Sequence, residues 1–341
     1  MTTSKPSSPP NPPPENPGAI QARVVRLREA PPLPLVQRVG PRKAKPARLS
    51  PRASAAQALS ANLARSADDI AWNGACALAG NDPEAVHQLR IALRRLRAIL
   101  SLYKKLLPPR ERDQLRDLVR AVNAPLGRAR DIDVFADEVL GPALSAMPED
   151  RDLAALAAAA EAERAGRREE ARDAIRSDRF TRLIGAAELL AAAPPRDGDA
   201  AAVLAKPASS FARKTLRRRH KKLCQAGHHL RHMLAAERHQ LRIAVKKQRY
   251  AAELFAPLFA GSRPGKYAKA LSRVQSALGA NNDAAVAPAQ LECLRPRAEG
   301  GAFARGSALV LGFHAGQAEA RERRLRLAWK KFKSAKTFWG V

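Results

Sequence analysis

An all-α fold made of two tandem copies of one helical unit is predicted by three observations. Apolar residues recur at helical spacing, a basic motif occurs twice, and a second motif follows each copy at the same distance. The first copy reads His87-Gln88-Leu89-Arg90-Ile91-Ala92-Leu93-Arg94-Arg95-Leu96-Arg97. The other reads His239-Gln240-Leu241-Arg242-Ile243-Ala244-Val245-Lys246-Lys247-Gln248-Arg249, identical over its first six positions. His239 follows His87 by 152 positions, and Leu278-Gly279 with Asp283 follows Leu126-Gly127 with Asp131 by the same 152. One offset at two separate sites points to a duplicated unit.

Offsets of three and four return to one face of a helix. His87, Arg90, Arg94 and Arg97 therefore form a cationic stripe beside an apolar seam of Leu89, Leu93, Leu96, Leu100 and Tyr103. In the second copy His239, Arg242, Lys246 and Arg249 flank Leu241, Val245, Ala252 and Phe255. Because the stripes lie off the seams, their side chains are expected to be replaceable without loss of the fold.

In chain order, residues 1–50 hold 12 of the 26 prolines and are expected to be a disordered leader, with the basic run from Arg42 to Arg48 a solvated tail or an auxiliary polyanion contact. An amphipathic helix is expected from Ser54 to Ala79. Asp82 then caps the first signature helix, with Pro83 at its first position and Glu84 near the positive dipole end. Pro108-Pro109 stops it, and a third helix runs to about Asn123, with Leu126-Gly127 read as its C-cap. A short element follows Asp131. Arg151 to Arg176 is densely charged with opposite signs, which predicts an exposed helix held by i,i+4 pairs. Arg179 to Ala192 is another helix, and Pro194 to Asp199 is the linker, dividing repeat one (51–195) from repeat two (196–341). Repeat two opens with the densest basic run, Phe211 to Leu234, followed by the second signature helix, a helix from Lys266 to Leu278, a weak element after Asp283, and a long last helix from Ala304 to Lys336.

Lys plus Arg number 61 against 32 Asp plus Glu, a net charge of +29, so the expected partner is a polyanion. Aromatics at 4% leave few stacking platforms, which argues against single-strand readers of the RRM or OB type. Cys76, Cys224 and Cys293 are far apart and read as small core residues of a reducing compartment, with no zinc or disulfide pattern. No apolar run approaches the roughly 18 residues of a membrane span, and the N-terminus has no signal-like apolar core. A cytoplasmic protein with no membrane partner and no cofactor is expected; the sequence leaves its oligomeric state open.

The paired motifs resemble the CHAD family, the conserved histidine alpha-helical domain, over about residues 52 to 339. Val86 to Arg97, His239 to Tyr250 and both Leu-Gly…Asp sites match its pattern as they stand. The resemblance implies two helical-bundle repeats of roughly four core helices each, related by a pseudo-twofold, with basic residues facing a central cavity or groove. It also implies non-catalytic binding of inorganic polyphosphate and association with polyphosphate granules. Gln248 departs from the apolar residue usual in the second motif, which concerns packing more than ligand contact. Many CHAD domains follow a CYTH domain; the leader is too short for one and no E-x-E-x-K signature is present, so a stand-alone member without that phosphohydrolase activity is expected.

The expected polyphosphate contacts are His87, Arg90, Arg94, Arg97 and Lys104, with Arg65 and Arg217 at equivalent positions of the two repeats, Lys214, Arg218 and Lys222 extending the surface, and His239, Arg242, Lys246 and Arg249. His87 and His239 either touch the ligand or orient a carboxylate such as Asp131 or Asp283. Asp131, Asp133 and Asp283 read as salt-bridge partners rather than magnesium ligands. His228, His229 and His232 read as incidental, since no H-E-x-x-H acid or nearby cysteine accompanies them. Nucleic acid is the competing, weaker partner, and His-x-Leu-Arg also resembles the phosphoacceptor box of histidine phosphotransfer bundles. Against the latter, no ATP-lid glycines are present and both histidines sit among Arg and Lys.

Overall fold

The structure, a computed structural model, describes residues 39–195, 198–297 and 300–340. Among them the order is α1 (Ala55–Ala79), α2 (Pro83–Leu102), α3 (Pro109–Val134), a π-helical segment (Phe135–Leu140), α4 (Gly141–Ala146), α5 (Arg151–Arg176), α6 (Asp178–Ala192), α7 (Gly198–Leu204), α8 (Ala208–Ala226), α9 (Ala235–Phe255), α10 (Arg263–Leu294), α11 (Gly300–Gly316) and α12 (Ala318–Lys333). Three successive helices begin at residues 55, 83 and 109 in the first half and at 208, 235 and 263 in the second, so the sequence offset is kept in the element order. Just before α1 and α8 the chain makes a reciprocal pair of bonds, Ala55 N–H to Lys206 O and Ala208 N–H to Ala53 O, each 2.8 Å.

The start of α2 forms as the cap chemistry predicts. Asp82 Oδ1 accepts from Glu84 N–H at 2.8 Å, and Pro83 occupies the first turn, where no N–H is needed. The expected ends at the Leu-Gly pairs do not form. Helix α3 runs through Pro125, Leu126 and Gly127 to Val134, and α10 runs through Leu278-Gly279 and Pro288 to Leu294. Burial of Leu126, Ala129 and Ile132 on one side of α3, and of Leu278, Ala287 and Leu291 on α10, outweighs the local stop signals. The last helix, expected to be continuous, breaks at Gly316-Gln317 into α11 and α12.

Two apolar cores result. The larger draws on both halves, taking α1, α2, α6, α8, α9, α12 and the N-terminal parts of α3 and α10. Tyr103, Phe211 and Phe255 join the halves there, with Tyr103 stacked on Phe211 at 4.8 Å between ring centroids. Gln248 is buried in this core and donates to Tyr267 Oη at 3.0 Å, so it acts in packing. The smaller core collects Ile132, Phe135, Val139, Leu156, Leu291 and Phe303 from the far ends of α3 and α10, the π-helical segment, the start of α5, and α11. Helix α5 is therefore not simply exposed. Leu153, Leu156, Ala159 and Ala160 are buried, while the expected pairs hold its other side, Arg167 to Glu163 at 2.7 Å among them. Of the cysteines Cys76 is buried, Cys224 partly so, and Cys293 exposed, which removes Cys293 from the expected core set.

The leader needs the largest correction. Residues 1–38 lie outside the described residues, as do Arg196 and Asp197 of the linker, but from Gly40 onward the chain is a strap bound along α1. Its backbone N–H groups at Arg42, Ala44, Lys45 and Ala47 donate to the side chains of Asn73, Gln88, Asp69 and Asn62. Arg42 also pairs with Asp68 and with buried Asp69, to which Arg65 adds a bond of 2.8 Å. Asp69→Ala is expected to cost about 3 kcal/mol, since it leaves two guanidinium groups and a backbone donor without their shared carboxylate. Denaturant titration checks the loss, and faster tryptic cutting at Lys43 or Arg48 checks that the strap is what lets go.

Candidate polyanion site

The two signature helices pack against each other and bring their stripes together. They lie beside α3 and α10 where each long helix passes from the larger core to the smaller one. The polar residues of the second motif, Arg130-Asp131 and Asn281-Asn282-Asp283, thus occupy a polar waist between two apolar masses.

Arg90 is 13% exposed, and its Nη1 donates to the carbonyls of Leu126 at 2.8 Å and Gly127 at 2.6 Å, with Asp131 at 3.7 Å. Burial brings its pKa down to about 10, only partly offset by Asp131. A Cβ built at Gly127 would meet Arg90 Nη1 at 3.7 Å, an ordinary contact, so the guanidinium lies directly over this residue. The Leu-Gly motif is a landing place for the stripe rather than a helix cap. Arg90 clamps α2 to α3, so the expectation that every stripe residue is replaceable fails for it.

Arg94, Arg242 and Lys246 are half-buried in the waist. Burial, then Arg242, Arg94 and Arg90, bring the Lys246 pKa down to about 8, so cations of both halves act on one ammonium. The Nε atoms of Arg90, Arg94 and Arg242 are buried without a hydrogen-bond partner among the described residues. Asp283 is the principal counter-charge. Burial and the neighbouring Asp131 raise its pKa against the pull of an Asn282 bond, Arg242 and Lys246.

The two histidines differ. His87 is half-buried, its Nδ1 makes no hydrogen bond, and burial followed by Arg130 lowers its pKa, with Arg94 and Arg90 adding to the effect. It orients no carboxylate. His239 is exposed, and its Nδ1 lies 3.4 Å from Asn282 Oδ1, the position that corresponds to Arg130. Asp133 is buried and paired with Arg164 of α5 at 3.1 Å, a structural tie. Among the described residues no group of three His, Cys, Asp or Glu side chains gathers to hold a metal.

Other expected contacts are placed elsewhere. Arg65 is held by Asp68 and Asp69 under the strap, which commits it to intramolecular pairing. Arg249 is bonded to Glu253 at 3.0 Å and lies over the Tyr250 ring. Arg97 and Lys104 are exposed, at the far end of α2 and in the turn after it. Lys214, Arg217, Arg218 and Lys222 form an exposed row on α8. Sequence reasoning missed Arg130, whose only signal was its place in the second motif. It also missed Arg95, 8% exposed and paired at 2.8 Å with Glu253 of the other half.

The fold and site define an all-α protein with a cationic cluster assembled from two related helices. The CHAD domain model matches residues 61–292, and the chain belongs to the CHAD domain family. Among solved structures it is similar to the CHAD domain from the plant Ricinus communis, with 29% identity and a TM-score of 0.73, over 87% of this chain and 98% of that one. It also shares its fold with PptA from Streptomyces chartreusis, at 20% identity and a TM-score of 0.60, over 82% of this chain and 100% of that one. No curated protein matches. Family membership is consistent with a polyphosphate-related function. No helix among the described residues is long and apolar enough to cross a membrane.

Proposed function

We propose that this protein binds inorganic polyphosphate non-covalently at the waist and performs no chemistry on it. The observation that carries the reading is the convergence of Arg90, Arg94, Arg242 and Lys246 from separate halves onto one place, at the expense of Lys246's own protonation. Like charges held this close repel, and a chain of phosphates with one negative charge per unit offsets that repulsion along the whole cluster. Arg94 and Arg242 supply planar forks for phosphate oxygens, Lys246 a point charge, and Arg90 a fixed positive background. Binding of this kind would carry the protein to polyphosphate granules, which co-localisation of a fluorescent fusion with stained granules tests.

Direct titration with long-chain polyphosphate, with duplex DNA as competitor, tests the reading; affinity for DNA equal to that for polyphosphate would transfer it to nucleic acid. Proton linkage gives a more specific check. In the free protein Lys246 loses its proton as the pH rises through about 8, while a bound phosphate holds the proton on. Binding at pH 8 is therefore expected to take up protons, and affinity to fall as pH rises through that window. Calorimetry in buffers of different ionisation enthalpy reads the uptake, and Lys246→Arg should abolish most of it.

A further inference from the structure

A second cationic site lies outside the waist, in a cavity of about 650 Å³ between α12 and the turn that follows α8. None of its lining residues belongs to a signature helix. Arg323, Arg326, Lys330 and Lys333 recur at offsets of three and four, so α12 presents them on one face, and Arg231 faces them from the turn. All five are exposed, none has an ion pair among the described residues, and no carboxylate lines the cavity.

This is unlike the other arginine-rich helix of the chain. On α5, Arg164, Arg167, Arg172 and Arg176 each have a carboxylate within 3.2 Å. Like charges one turn apart destabilise a helix, so an uncompensated row facing a further arginine is a cost to the free protein. His228, His229 and His232 complete the turn's wall, with His228 Nδ1 and His229 Nε2 3.2 Å apart.

The two walls are fixed relative to each other. Arg238 bonds Glu322 of α12 at 2.5 Å and the Met233 carbonyl of the turn at 3.1 Å. Gly227 lies so close to Trp329 that a Cβ there would meet the indole at 1.9 Å, so the turn presses on α12 with no spare room. The backbones that carry the cationic side chains are thus set in place before any ligand arrives.

We propose that this cavity binds a triphosphate group, as a free short oligophosphate or as the tail of a nucleoside triphosphate. Five cations match the roughly four negative charges of a triphosphate, and the volume lies within the range of about 300–1,000 Å³ usual for small-ligand sites. The site does not depend on the waist reading.

Calorimetric titration with tripolyphosphate and, separately, with ATP tests it on three full-length proteins: the wild type, Arg326→Glu with Lys330→Glu, and Arg94→Glu with Lys246→Glu. Circular dichroism confirms that each is folded. Tripolyphosphate binding should fall by at least about tenfold in the first variant and by less in the second, in which the α12 site is intact. Equal affinity for both ligands assigns recognition to the phosphates alone, while tighter ATP binding adds a contact to the nucleoside. No loss in the Arg326/Lys330 variant, or loss confined to the Arg94/Lys246 variant, overturns the proposal. Long-chain polyphosphate titrated into the same proteins reports on the waist separately.

Discussion

Arg94→Glu combined with Lys246→Glu is expected to weaken binding of long-chain polyphosphate by roughly 100-fold or more. Each change removes a charge-assisted bond worth about 1.5–3 kcal/mol and leaves a carboxylate facing the ligand. Both residues are half-buried in the waist, one from each half, so the pair tests whether the halves act on one ligand. The slope of log affinity against log salt should flatten by about 1.4, since a contact to a flexible single chain releases about 0.7 counterion. Arg110→Glu with Arg179→Glu is the control for net charge. Both are exposed on helices away from the waist, with no ion pair among the described residues. If the control loses as much affinity as the waist variant, binding is diffuse electrostatics and the waist is not the site.

Arg90→Glu is expected to act on the fold before it acts on binding, with a loss of about 3–5 kcal/mol of stability. The new carboxylate would lie against the carbonyls of Leu126 and Gly127 that Arg90 now satisfies, in surroundings that leave the side chain 13% exposed. Urea unfolding reads the loss. Arg94→Glu alone should unfold within about 1 kcal/mol of the wild type, because its side chain bonds no protein group. Equal stability of the two variants would remove the distinction between a clamping and a ligand-facing arginine.

That distinction marks the limit of what the sequence discloses. Arg90 and Arg94 are four residues apart on one helix, and periodicity assigns both to the same face. It says nothing about depth, which is set by how closely α3 approaches at Gly127. Local chemistry was legible where it acts locally, as at Asp82-Pro83-Glu84, and the repeat offset correctly ordered three helices in each half. It misled where burial overrides it, as at Leu126-Gly127 and Leu278-Gly279. The strap was illegible for another reason. Proline and basic residues read as a tail, and what fixes this one is a set of bonds to Asn62, Asp69, Asn73 and Gln88, tens of residues distant and without a period.

The ion pair between Arg95 and Glu253 bears on the history of the duplication. At the repeat offset Arg95 corresponds to Lys247 and Glu253 to Ser101. Two first halves assembled as a homodimer would set a buried guanidinium opposite serine. Two second halves would set Lys247 opposite Glu253, again a pair of opposite charges. Of the two identical assemblies it is the one of first halves that strands a charge, and a lone buried charge is strongly destabilising. The first copy has come to depend on the second for the partner of its buried arginine, and carrying both in one polypeptide guarantees their one-to-one supply.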